Sequence, residues 1–351
     1  MIYLNKGKTN EALDFAKFVA AIMVVAIHTN TFKDINIGLY NFCTYCIFTF
    51  AVPFFFICGG YLLGEKIRCS TSVTEYKCFI KHYALRLLYP YLIWGVWYFI
   101  ITCALNIIRK YNTPIDTIVH QLKLWIVSSP GGGLWYIQSV LILLLILYID
   151  GNKRHISIYT IIGVLFTFVP GLCAQLKDKV YFLDRIQTAY YKVFLTELNF
   201  LWWGAYFLLG LTLSIRGRKI VEIIGKHRIQ YLAISYGAYI IVYIMSGKTV
   251  ILQSLKLLVS IIMFIAIMYS HLPINSVISV NLRKMSTIIY FSHFTFIYII
   301  QIVFKLLDLD YGTHLTLAWV VCCFAVVFYS FVLVYTKDNP LMQLYERKKA
   351  K

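Results

Sequence analysis

Asp14, Lys17 and His28 lie within one apolar run, EALDFAKFVAAIMVVAIHTN, from Glu11 to Asn30. An α-helix turns 100° per residue, so the step from Lys17 to His28 closes about three turns with roughly 20° left over. Asp14 precedes Lys17 by one turn, which puts all three polar residues on one stripe. Lys17 and His28 are then about 16 Å apart along the axis, at about 1.5 Å per residue. An imidazole, with an ordinary pKa of about 6.5, suits the removal of a proton from a hydroxyl. An ammonium near the start of the run suits an anionic group. Each residue also has a plainer reading: Lys17 can snorkel to an interface, and His28 can be an ordinary interfacial histidine. The shared stripe weighs toward function, because ionisable groups inside a membrane are costly and face protein or water.

The rest of the chain must position that stripe, and its composition says how. Of 351 residues, 60% are hydrophobic, 17% aromatic and 14% charged, with mean hydropathy +0.73. Soluble domains carry about 25% charged residues. Repeated apolar stretches approach the ~20 residues that cross a bilayer. The reading is an all-α integral membrane protein in the cell membrane, a bundle of about ten transmembrane helices forming a single domain over 1–351. The expected spans begin at Ala12, Ile37, Tyr83, Leu134, Ile156, Thr196, Ile229, Val250, Met285 and Leu315. Pro53 and the pair Gly59-Gly60 predict a loosened second span. Ile118, Leu122, Trp125 and Ile126 recur at helical spacing, which fits an interfacial amphipathic helix.

The formal net charge of +18 does not point to nucleic acid. Cytoplasmic loops of membrane proteins are rich in Lys and Arg. With both termini cytoplasmic, inner loops and tails hold about 20 of these residues and outer ones about nine. The tail from 337 to 351 is basic and belongs inside. Anionic lipid or an anionic donor are the partners this charge suits.

Other chemistry is thinly supported. Cys43 and Cys46 form a lone CxxC without a second pair or a nearby His, so no metal site is expected. Ser129-Pro130-Gly131-Gly132-Gly133 lacks the Lys and Ser/Thr of a phosphate loop. No Gly-x-Ser-x-Gly elbow is present. The N-terminal run is long and interrupted by charge, unlike a cleavable signal. His293, among Phe and Tyr, reads either as a hydrogen-bonded core residue or as an active-site neighbour. Trp135 and Tyr136 read either as interfacial belt or as cavity lining.

In order along the chain, several short motifs resemble the membrane acyltransferase-3 family. Asp14, Lys17 and His28 resemble its first-helix signature, with Lys17 where that family usually has Arg. Val52-Pro53-Phe54-Phe55-Phe56-Ile57-Cys58-Gly59-Gly60-Tyr61-Leu62 resembles its second helix, with Gly59 in place of Ser. Arg86-Leu87-Leu88-Tyr89-Pro90, Leu134-Trp135-Tyr136, Phe207-Leu208-Leu209-Gly210 and Ser286-x-x-x-Tyr290-x-x-His293 resemble later motifs.

The resemblance implies an O-acyltransferase, usually an O-acetyltransferase. It takes an acyl group from a cytoplasmic thioester donor, acetyl-CoA or another acyl-CoA, and needs no metal. It delivers that group to a hydroxyl of an extracytoplasmic carbohydrate or cell-envelope glycan, in a bacterial plasma membrane. On that reading His28, Asp14 and His293 are the catalytic candidates, and Lys17 and Arg86 bind the donor. Some relatives carry an added esterase-like domain, for which the tail here is too short. A similar membrane module is fused to serine racemases in vancomycin-resistance systems, where a role in moving serine is proposed. A transporter for a small polar solute such as an amino acid is therefore the alternative. An inactive scaffold is a third reading, on the departures at Lys17 and Gly59.

Overall fold

A computed structural model describes residues 10–108, 113–127, 129, 133–176, 182, 185, 188, 189, 192, 200–246 and 250–336. Arg109, the stretch Pro130-Gly131-Gly132, most of the 175–195 connection, the Gly247-Lys248 turn and the 337–351 tail lie outside these residues. Among the described residues the chain is helical and has no strand. In chain order the α-helices are α1 (Glu11–Thr29), α2 (Ile37–Phe42), α3 (Ala51–Arg68), α4 (Val73–Ile108), α5 (Pro114–Val127), α6 (Trp135–Asp150) and α7 (Ile156–Leu176). They continue as α8 (Phe200–Ile215), α9 (Arg218–Lys226), α10 (Arg228–Ser246), α11 (Val250–Met268), α12 (Ser276–Leu306) and α13 (Leu315–Tyr335).

Among the described residues, seven helical stretches are long and apolar enough to cross a membrane: Glu11–Thr29, Ile37–Arg68, Val73–Ile107, Arg228–Ser246, Val250–Met268, Ser276–Leu306 and Leu315–Tyr335. The apolar α6 and α8 have 16 residues each in the described range. That gives about 24 Å, short of a ~30 Å hydrocarbon core. This is the pattern of a multi-pass membrane protein.

Two helices begin before the expected span starts. α4 begins at Val73, ahead of Tyr83. Ser72 Oγ accepts from the Glu75 amide at 3.1 Å, and Glu75 Oε2 accepts from the Thr71 amide at 2.8 Å. Such a reciprocal cap starts a helix in polar sequence. α12 likewise begins before Met285, since the Asn275 side chain caps it at the Val277 amide. In the second span the loosening precedes the expected Pro-Gly segment: Cys43–Ile47 is a π-turn and Phe48–Phe50 a 3-10 turn. Pro53 offers no N–H to the Thr49 carbonyl, so the disturbance falls on the preceding turn. From Ala51 the helix runs unbroken through Gly59 and Gly60.

The described chain divides into two compact units. One gathers residues before Phe56, 224–234 and those from Ile262 onward. Here α1 packs on α12 and α13. Its inward face is small and apolar: Ala20, Ala21, Val24 and Val25 are buried, which lets neighbouring helices approach. Asn10 caps the start of α1, and Asn30, left-handed at φ 51°, ends it. The following turn is fixed by Asp34, which accepts from the Thr316 hydroxyl at 2.5 Å and amide at 2.9 Å.

The other unit gathers 56–223 and 235–261. Its helices α3 and α8 touch backbone to backbone. A Cβ on Gly60 would sit 2.0 Å from the Phe207 carbonyl oxygen, and one on Gly210 would sit 2.2 Å from that of Ile57. One turn on, Gly64 faces Ser214. Three basic connections meet at one end of this unit. Lys153 Nζ donates to the Ser70 carbonyl at 2.6 Å, Arg216 to that of Arg154 at 3.0 Å, and Arg218 pairs with Glu65 at 3.5 Å. The expected amphipathic helix forms as α5, but it packs through Thr117 and Gln121. Thr102 Oγ1 on α4 donates to Gln121 Oε1 at 3.2 Å. Ile115, Ile118, Val119 and Leu122 are turned outward, as suits a helix lying at a membrane interface.

Candidate active site

The polar stripe of α1 has two populated ends, both within the first unit. At the start of the helix, Asp14 is 2% exposed. Its Oδ1 lies 3.6 Å from Lys17 Nζ. Its Oδ2 accepts from Ser279 Oγ at 3.0 Å and lies 3.5 Å from Arg283 Nη1. A buried carboxylate is tolerable only when paired and hydrogen-bonded, and here α12 supplies both conditions. The Arg283 side chain is 41% exposed, so an incoming group can reach part of it. Lys17 is the more enclosed cation, at 15%.

Asp14 lies about 21 Å along the helix from His28. It is therefore out of contact with the imidazole, and its neighbours are the two cations and the Ser279 hydroxyl. Sequence reasoning misses Arg283 and Ser279, which lie before the expected span start at Met285. The signal was present: Asn275 is a helix cap, and Ser279 and Arg283 are one turn apart on the helix it starts.

At the other end His28 stacks on His293, with ring centroids 5.3 Å apart, and touches Phe294 at 4.5 Å. His293 is buried. Its Nδ1 lies 2.7 Å from the Tyr290 carbonyl and 3.2 Å from that of Ile289. Two carbonyl oxygens can only accept, so Nδ1 carries the proton and Nε2 keeps its lone pair. That Nε2 is buried and has no partner among the described residues. Among the described residues His28 makes ring contacts only. Two imidazoles side by side, one with its tautomer fixed by backbone, can take and return a proton.

The remaining candidates belong to the second unit. Arg86 is exposed on α4. A Cβ on Gly59 would lie 3.1 Å from the Tyr83 hydroxyl and 3.4 Å from that of Tyr136, so two phenols stand where a serine hydroxyl would point. Trp135 is buried, 5.3 Å from Trp203 and 6.0 Å from Phe56 between ring centroids. It is interior packing, not interfacial belt.

A family model described as an acyltransferase domain matches residues 10–335. Two proteins of Enterococcus faecalis, each named amino-acid racemase, are similar to part of the chain. One is 31% identical over 131 residues, 37% of this chain and 18% of that protein. The other is 26% identical over 140 residues, 40% of this chain and again 18% of the relative. The chain thus spans under a fifth of the length of these curated relatives. No solved structure matches it.

Proposed function

The chain belongs to the acyltransferase family whose model it matches, and on that premise we propose that it transfers an acyl group, acetyl first among them, from a cytoplasmic acyl-CoA to a hydroxyl of an extracytoplasmic carbohydrate or cell-envelope glycan. The observation that carries the reading is the two-ended stripe of α1: cations gathered on Asp14 at one end, paired imidazoles at the other. Lys17 and Arg283 suit the phosphates of the donor. Arg86 is a further donor candidate, by the motif it sits in. A thioester carried on the donor's long flexible arm can react far from those phosphates.

In the transfer, the acceptor oxygen bonds to the acyl carbon and the carbon–sulfur bond breaks. The acceptor's proton passes to an imidazole nitrogen and then to the departing thiolate, leaving free CoA and an ester. General base catalysis of this kind contributes roughly 10²- to 10⁴-fold. The positive-inside bias supports a reading with the start of α1 in the cytoplasm and His28 toward the outer face of a bacterial plasma membrane. Membranes given labelled acetyl-CoA and cell-envelope glycan should release CoA and label the glycan. Absence of both products with folded protein defeats the reading.

A second reading, passage of a small polar solute such as an amino acid, draws on the broken helix at 43–50 and on the similarity to racemases. Irregular backbone at membrane depth commonly lines a pathway. Proteoliposomes should then accumulate labelled serine with no thioester present, and a flux that requires thioester rules this out.

A further inference from the structure

The second unit holds an ionisable group that neither stripe end uses. Lys256 lies inside the apolar α11, about 9 Å from its first residue. Its ammonium sits over the Trp203 ring, 4.8 Å from the centroid. Among the described residues it meets no carboxylate and no hydrogen-bond acceptor. An ammonium within a membrane span calls for a partner, and an aromatic face supplies only part of what water did.

Two further polar atoms are unsatisfied, one on Trp203 itself and one a turn before Lys256 on α11. Trp203 Nε1 is buried with no partner among the described residues, and so is Gln253 Oε1. Gln253 precedes Lys256 by one turn on the same face of α11. A buried donor or acceptor left unpaired is costly enough that each one asks for an explanation. Trp203 also packs on Trp135, with ring centroids 5.3 Å apart, so its own position is supported by the interior.

We infer that Lys256, Trp203 and Gln253 form a binding site for an anionic, hydroxylated group. The ammonium and the indole N–H both donate, which suits a carboxylate or phosphate. Gln253 Oε1 accepts, which suits a hydroxyl beside that anion. The inference rests on the acyl-transfer reading in one respect: on that reading the group belongs to the acceptor, and an acid-bearing sugar fits better than a neutral one.

The test uses the full chain in phosphatidylcholine nanodiscs, with D-glucuronate and D-glucose as probes and no acyl donor. Glucuronate should raise the unfolding midpoint saturably, and glucose should not. Lys256→Gln should weaken the glucuronate effect about tenfold or more, as for removal of one partner of a desolvated charge pair. Lys256→Arg should retain it, and Gln253→Leu should weaken it. Equal responses to the two sugars, or an unchanged response in Lys256→Gln, overturn the site. Loss of the response when phosphatidylglycerol is added to the discs assigns the anion to lipid and overturns its assignment to the acceptor. The midpoint shift should persist in His28→Ala. A preparation that binds glucuronate in this way but never consumes acetyl-CoA defeats the acyl-transfer reading alone.

Discussion

Arg283 on α12 reaches the same carboxylate oxygen of Asp14 that accepts the Ser279 hydroxyl, at 3.5 Å and 3.0 Å. The other oxygen faces Lys17 at 3.6 Å. Removing the carboxylate leaves two cations without their shared anion. Asp14→Ala should cost about 2–4 kcal/mol, below the full value for a buried pair because Arg283 is partly solvated. Lys17→Ala should cost much less, about 0–1 kcal/mol. Thermal unfolding in detergent reads the difference, and equal losses would refute the central role given to Asp14.

The same cluster yields a kinetic expectation. If Arg283 and Lys17 hold donor phosphates, Arg283→Gln should raise the KM for acetyl-CoA about tenfold, the cost of a lost hydrogen bond to a charged group. Lys17→Arg should lower that KM, since a guanidinium grips phosphate bidentately. Initial rates of CoA release across donor concentrations check both. A KM unmoved by Arg283→Gln counts against donor contact at this end.

The stripe on α1 was legible because helical periodicity needs only the local chain. The sequence leaves His293 open between a core residue and an active-site neighbour, and its stacking on His28 depends on how α1 and α12 pack. Arg283 was not legible as a partner of Asp14: the polar stretch before Met285 looks like a loop until the Asn275 cap is weighed. In the second span, Pro53 was rightly read as disruptive, yet its effect falls one turn earlier, on the carbonyl it cannot bond. Gly60 and Gly210 carried no visible relation, since contact between α3 and α8 is a tertiary fact.

That contact gives a sharp contrast among glycines. A methyl on Gly60 or Gly210 would collide with main-chain oxygen, which cannot swing away. Gly60→Ala and Gly210→Ala should each destabilise by about 1–3 kcal/mol or more. Gly237 on α10 has nothing within 4 Å of such a methyl, so Gly237→Ala should be neutral or stabilise by up to about 1 kcal/mol. Unfolding midpoints of the three variants decide it.

Asp34 closes the turn after α1 and also serves the start of α13, whose own cap residue, His314, bonds none of its amides through its side chain. Burial alone would raise the Asp34 pKa, but the Thr316 hydroxyl and amide outweigh it and hold the carboxyl below its usual value. A lowered folded-state pKa means stability that is present above the unfolded pKa and lost as pH falls through the folded one. Unfolding should therefore become easier on acidification below about pH 4. Asp34→Asn should flatten that contribution and cost about 0.5–2 kcal/mol at neutral pH, as for loss of a cap. An unchanged pH profile in Asp34→Asn would contradict this.

His293 offers the most direct test of the imidazole pair. Its Nδ1 proton is engaged by the Tyr290 carbonyl, which leaves the Nε2 lone pair without a partner among the described residues. In His293→Gln an amide N–H can still donate to that carbonyl, so packing is largely kept while the lone pair of suitable basicity is lost. If the pair moves the proton, His293→Gln should lower the turnover of acetyl-CoA with acceptor by roughly 10²- to 10⁴-fold, as should His28→Ala. The double variant should be little worse than either single one, because groups that act as a unit lose their effect together. Donor KM should stay near its original value, since Lys17, the proposed phosphate contact, lies about 16 Å away along α1. If His28→Ala abolishes turnover and His293→Gln does not, His293 is a packing residue and His28 acts without it.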